Sequence, residues 1–126
     1  VNADRVRAGG MFVDETGLCL VLKGAGSLVF GPDGRLFFNP TGNVALAKGG
    51  SGDILTGFVG GFLAQGYTPL ESALLGTYLH GYTAERWIDH GGSHWDLAAG
   101  DLLTGLGHAF RELESGKESV YVERSL

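Results

Sequence analysis

The pentapeptide Gly49-Gly50-Ser51-Gly52-Asp53 leads straight into an apolar segment in which Ile54, Leu55, Phe58, Val59, Phe62 and Leu63 recur at helical spacing. A glycine loop feeding a helix N-terminus is a ready anion site. Its successive backbone N–H groups lack intrahelical partners and sit at the positive end of the helix dipole. Glycines let a phosphate approach without Cβ obstruction, and Asp53 falls in the first helical turn, beside any bound phosphoryl group. A carboxylate there is repelled by phosphate unless it does chemistry, such as accepting the proton of an attacking hydroxyl. The competing interpretation is structural, with Ser51 capping the helix and Asp53 complementing its dipole, and the pentapeptide alone leaves both open. Other phosphate loops fit worse: no GK[ST] occurs, and GAGSLVFG (24–31) lacks the context of a Rossmann GxGxxG.

The elements that must position this loop are legible on either side of it. Asp4 is placed to cap a first helix that Gly17 ends, and LCLVL (18–22), SLVF (27–30) and RLFF (35–38) are short apolar runs punctuated by KGAG and GPDG. The second and third runs read as a hairpin. After the glycine loop the helix runs to Gly66, and TPLE (68–71) has the form of a capping box, with Thr68 as N-cap, Pro69 at N1 and Glu71 reaching back. A second long helix then extends to about His90, GGSHWD (91–96) is a loop, and Asp101 precedes a third helix with Leu102, Leu103, Leu106, Phe110 and Leu113 along one face. An edge strand is expected at SVYV (119–122). Gly57, Gly60, Gly61, Ala64, Ala73 and Gly76 give the first two long helices small faces suited to close packing. The strands are too few to complete a parallel sheet between helix layers, so the core is expected to be completed from outside this chain.

Composition narrows the classes. The 126 residues amount to one domain at most, and 23 glycines are about 18% of the chain against a usual share of about 7%. They have no three-residue period, which excludes collagen. A net charge of −5 with only nine scattered Lys and Arg argues against a nucleic-acid footprint and for small-molecule partners. The single Cys19, read as a buried strand residue, forms no internal disulfide and suits a reducing cytosol. The longest uncharged stretch, 54–70, carries four glycines, a glutamine and a proline and is poor material for a membrane span. The opening VNADRVRAGG has neither an initiating Met nor a signal-peptide core and reads as a piece of a longer chain.

Several motifs in order carry a family resemblance. VLKGAG (21–26), PDG (32–34), NPTGN (39–43), GGSGD (49–53), LTG (55–57), LAQG (63–66), GTYLHG (76–81) and AAGDLL (98–103) resemble the C-terminal region of the ADP-dependent NAD(P)H-hydrate dehydratases, a ribokinase-like family. The resemblance covers essentially all of this chain but only the second half or so of the family domain. It implies an α/β fold, the C-terminal portion of a three-layer ribokinase-like sandwich comprising a strand, a β-hairpin and three packed helices. It implies repair of hydrated NADH or NADPH: ADP, or ATP, phosphorylates the ring hydroxyl, phosphate leaves, and the C=C bond is restored. Asp53 becomes base and substrate contact, Gly49, Gly50, Ser51 and Gly52 the phosphate cradle, and Lys23, Gly24, Ala25, Gly26 and Ser27 the segment holding the nucleotide. Ser27 stands where the family often has Thr, keeping the hydroxyl. The family also implies a cytoplasmic enzyme and a homo-oligomer in full-length form.

Asn39 and Asn43 are candidates to line the nucleotide site or simply to form turns, with Pro40 and Gly42 shaping the loop. His80 is read as a packed or capping histidine, and Trp87 and Trp95 as packing residues. His90, His94 and Asp96 lack a zinc-binding order and are read as a polar loop, so no protein metal site is expected and Mg²⁺ rides on the phosphates. Two alternatives stand beside the dehydratase: a kinase of the same fold acting on a sugar, hydroxymethylpyrimidine or hydroxyethylthiazole, and a non-catalytic nucleotide-binding fragment.

Overall fold

The computed structural model describes residues 3–24 and 26–115 together with the backbone of 122–125. Helix α1 (Ala3–Thr16) is followed by strands β1 (Leu20–Leu22), β2 (Leu28–Phe30) and β3 (Arg35–Phe38), a 3-10 turn (Val44–Leu46), helices α2 (Ser51–Ala64), α3 (Pro69–Asp89) and α4 (Ala99–Glu114), and strand β4 (Val122–Ser125). The strands form an antiparallel sheet in the order β1-β2-β3-β4. Leu28 pairs with Phe38 and Phe30 with Leu36, so the expected hairpin is present, and Leu20 pairs with Phe30 to add β1 on its other side. Its turn is fixed by Gly34, whose φ of 88° favours glycine, and by the Asp33 carboxylate accepting the Arg35 N–H. Residues 119–121 of the expected SVYV strand lie outside the described residues, and β4 begins at Val122, paired with Phe38.

Strand alternation divides the core into two layers. Leu28, Phe30 and Leu36, with Leu20, Leu22 and Phe38, face α1 through Val13 and Val6, while Val29, Phe37 and Val21 face α3 through Ala73, Leu70 and Leu74. Helix α1 sits low on the sheet because Gly9 leaves room for the Phe30 ring, where a Cβ would overlap it. On the opposite side α2 and α4 pack on α3 around Phe58, Phe62, Leu79, Tyr82 and Leu102. Tyr82 Oη donates to Glu112, whose carboxylate also pairs with Arg86 at 2.8 Å, which ties α4 to α3. The result is an α/β arrangement of helix, sheet and helix bundle.

Several local expectations change on inspection. The α1 helix begins at Ala3, so Asp4 lies in its first turn, where it pairs with Arg7, instead of capping it. The N-cap of α2 is Gly50, in the left-handed region at φ 86°, and Ser51 is already helical, so Ser51 does not cap the helix. Asp101 likewise lies inside α4, accepting the Ala98 N–H at 2.8 Å. Cys19 precedes β1 and is only half-buried. Trp95 is 91% exposed and so is not a packing residue, whereas Trp87 packs beside the helical core and donates to Asp96. The TPLE box forms as expected, with Thr68 Oγ1 accepting the Glu71 N–H and Glu71 accepting the Thr68 N–H.

The small faces divide sharply. A Cβ at Gly76 would press on Val59, including its backbone at 3.2–3.3 Å, so Gly76 sets the approach of α3 to α2. Gly57, Gly60 and Gly61 have nothing within 4 Å of a built Cβ, and Ala64 is exposed, so in this chain that face of α2 is bare and not packed. Opposite responses to one substitution follow. Gly76→Ala destabilises by about 1–3 kcal/mol through overpacking, while Gly57→Ala stabilises by about 0.5–1 kcal/mol through helix propensity. Thermal melts followed by circular dichroism check the two signs, and a lower Tm for Gly57→Ala would contradict the open placement of that face.

Candidate functional site

The segment joining β3 to α2 is polar and glycine-rich, and it has no ladder of its own, so its backbone groups must find partners elsewhere. They find them on one face of α3. Asn39 is buried; its Nδ2 donates to the Thr77 carbonyl at 3.2 Å and its Oδ1 accepts the Thr41 N–H at 3.2 Å. The Thr41 hydroxyl lies 2.8 Å from Asn39 Oδ1 and 3.1 Å from the Tyr78 carbonyl oxygen. Gly42 N–H donates to the Glu85 carboxylate at 3.0 Å, and the burial of that carboxyl pushes its pKa up. Asn43 caps the 3-10 turn through Ala45 N–H and donates to the Ala84 carbonyl at 3.1 Å. A Cβ at Gly81 would strike Thr41 and Gly42 backbone atoms at 2.6 and 2.8 Å, so only glycine lets this loop lie on the helix.

A cavity of about 620 Å³ opens between this loop, the β1–β2 connection and the start of α2. Lys23, Gly24, Gly26, Ser27, Asn39, Asn43, Ser51 and Gly52 line it, so it gathers most of the residues singled out in the sequence. Gly49, Gly50 and Asp53 are not on its walls, and Ala25 lies outside the described residues. Asp53 stands exposed on the first turn of α2. Asn39 and Asn43 contribute mainly by holding the loop, since their amides are engaged by protein partners. Arg5 of α1 fixes the lysine-bearing connection by donating to the Leu22 and Lys23 carbonyls, each at 3.1 Å.

The cavity's charge is one-sided. Lys23 and Lys48 line it and, among the described residues, no Asp or Glu does, in a chain whose net charge is −5. The Lys23 ammonium lies over the first turn of α2, close enough that a Cβ at Gly52 would collide with it. A cation at the positive end of a helix is unfavourable unless an anion sits between them. Lys48, which the motif reading did not single out, is held by donating to the Leu97 carbonyl, 49 residues away in sequence. His80 is buried on the cavity wall with Nε2 2.9 Å from the Ser51 carbonyl oxygen and 3.1 Å from Ser51 Oγ. Burial lowers its pKa, the Ser51 carbonyl opposes the shift, and the nearby Lys23 charge adds to it.

A family match accompanies this geometry. The carbohydrate-kinase family model described as NAD(P)H-hydrate dehydratase matches residues 1–106. The chain belongs to the NAD(P)H-hydrate dehydratase family. A bifunctional NAD(P)H-hydrate repair enzyme Nnr of Moorella thermoacetica is 38% identical over 120 residues, 95% of this chain and 22% of that protein. The ADP-dependent (S)-NAD(P)H-hydrate dehydratase of Bacillus subtilis is 48% identical over 79 residues, 63% of this chain and 29% of that protein. The crystal structure of the ADP/ATP-dependent NAD(P)H-hydrate dehydratase from Bacillus subtilis, co-crystallized with ATP/Mg²⁺, matches with a TM-score of 0.81 at 38% identity, over 86% of this chain and 39% of that one. The chain thus spans 22% and 29% of the length of these two curated family relatives.

A second cavity, between α3, α4 and the 91–96 loop, does not assemble a metal site. Asp96 accepts from Trp87 Nε1 at 2.7 Å and from Ser93 N–H at 2.8 Å, and His90 Nδ1 lies 2.9 Å from the Arg86 carbonyl oxygen. Among the described residues no three His, Cys, Asp or Glu side chains converge, and no helix is long and apolar enough to cross a membrane. The lowered pKa of His80 has a stability consequence. Between that lowered value and the unfolded value of about 6.5, the unfolded chain binds a proton that the native chain refuses. Stability is therefore lost as pH falls through this window. Urea unfolding at pH 7.5 and 5.5 is expected to show a smaller acid-induced loss for His80→Gln than for the native chain; an equal loss would contradict it.

Proposed function

We propose that this chain carries the nucleotide cradle and the base of an ADP-dependent NAD(P)H-hydrate dehydratase. One observation carries the reading: two lysines and the N-terminus of α2 converge on a cavity with no Asp or Glu among the described residues that line it, the electrostatic arrangement a polyphosphate requires. Bound ADP supplies the phosphoryl group that turns the ring hydroxyl of a hydrated nicotinamide into a leaving group. Backbone N–H groups at Gly50 and Gly52 stabilise charge on that phosphoryl group, the Ser51 N–H being donated to the Lys48 carbonyl at 3.3 Å, and Lys23 offsets the charge between it and the rest of the nucleotide. Asp53, exposed on the same turn, takes the hydroxyl proton as the oxygen attacks phosphorus. AMP is released, the ring phosphate departs as inorganic phosphate, and loss of a ring proton restores the double bond. With no carboxylate among the described lining residues, Mg²⁺ is carried by the phosphates.

Recovery of dihydronicotinamide absorbance from hydrated NADH, with and without ADP, tests this reading in a protein that spans the full length of its relatives. Asp53→Asn there is expected to lower turnover by about 10²–10⁴-fold with ADP affinity retained, because the base is lost and the amide donors remain. Near-native turnover would remove Asp53 from this role. Accumulation of a stable phosphorylated product in place of inorganic phosphate would favour a kinase.

A further inference from the structure

The cavity wall contains a buried pair whose proton positions can be deduced. His80 Nε2 lies 2.9 Å from the Ser51 carbonyl oxygen, and a carbonyl can only accept, so Nε2 carries the hydrogen. The same N–H lies 3.1 Å from Ser51 Oγ, which therefore faces a donor and cannot send its own proton to the imidazole. Ser51 opens α2 and has no preceding helical turn whose carbonyl its hydroxyl could bond back to. Ser51 makes no such bond among the described residues, is buried, and lines the cavity. The Phe58 ring meets the His80 ring edge-on with centroids 6.2 Å apart, which fixes the plane of the imidazole. Burial and the neighbouring Lys23 charge lower its pKa, against the Ser51 carbonyl.

We propose that His80, as its Nε2–H tautomer, is a positioning residue that turns the Ser51 hydroxyl proton into the cavity as a donor to an anionic ligand. The inference rests on the nucleotide-site reading for the identity of that anion, but not for the tautomer. Its partners come from two elements that contribute separately to the cavity, so the pair also holds the first turn of α2 in register with α3.

Two measurements on the chain decide the matter. Long-range ¹H–¹⁵N correlation of the imidazole is expected to show the neutral Nε2–H pattern for His80; an Nδ1–H pattern overturns the proposal. Calorimetric titration with ADP is expected to show Ser51→Ala and His80→Phe each weakening affinity by about tenfold, the worth of one hydrogen bond to a charged group. The double variant is expected to lose no more than either alone, because His80 acts through the Ser51 hydroxyl. His80→Gln, whose amide can still donate, is expected to recover most of the affinity, and it serves as the readout if His80→Phe fails to fold. Losses that multiply in the double variant, or no recovery in His80→Gln, overturn the proposal. If the native chain binds no ADP, the functional reading and the positioning role that rests on it both fall, whereas multiplying losses with ADP still bound overturn the positioning role alone.

Discussion

The seat of Thr41 and Gly42 on Gly81 is the contact on which the cavity's geometry depends. A loop of sequence NPTGN has no apolar face to bury and no strand partner. Its order comes from hydrogen bonds to the 77–85 stretch of α3, donated by Asn39, Thr41 and Asn43 or accepted by Glu85. Each is lost if the loop lifts, at about 0.5–1.5 kcal/mol apiece, and of the four only the Asn39 bond is buried. Those bonds are reachable only because no Cβ stands at position 81. The same helix stretch, one residue earlier, offers His80 to the first turn of α2, so one helix face sets both walls.

Electrostatics then gives the cavity its purpose. Lys23 is held over α2 by a connection that Arg5 pins from α1, and Lys48 is held from the other side by the Leu97 carbonyl. The Lys23 ammonium beside a positive helix end, with Lys48 on the same cavity, raises the energy of the site, and an anion relieves it. Relatives in the family include one named an ADP-dependent (S)-NAD(P)H-hydrate dehydratase, and in the proposed reading ADP is that anion and Asp53, on the same turn, the base for the attacking hydroxyl. The uncharged outer face of α2, with Gly57, Gly60, Gly61 and Ala64 open, shows that this helix is apolar nearly all round while only one side of it is packed.

Local chemistry was readable from the residues because each signal is short-range. The GGSGD loop opening a helix, the GPDG hairpin and the TPLE capping box all form within a few residues of themselves. What escaped was long-range. Lys48 looks like any loop lysine until Leu97 arrives 49 residues later, and His80 acquires a role only through Ser51, 29 residues earlier. The glycines of α2 illustrate a different ambiguity, since a small-residue face reads the same whether it is packed or bare. Asp4, Ser51 and Asp101 show a third: a capping side chain and a first-turn side chain share a sequence signature, and the helix bounds separate them.

Amide chemical-shift mapping of the chain during ADP addition tests whether nucleotide phosphates bind at the start of α2. The largest saturable shifts are expected at the amides of Gly49 through Asp53, with accompanying shifts from Lys23 through Ser27, and inorganic pyrophosphate is expected to shift the Gly49–Asp53 amides as well. Shifts concentrated instead around Arg86, Trp87 and His108 in the α3–α4 cavity, or no saturable shift near Ser51, would contradict it.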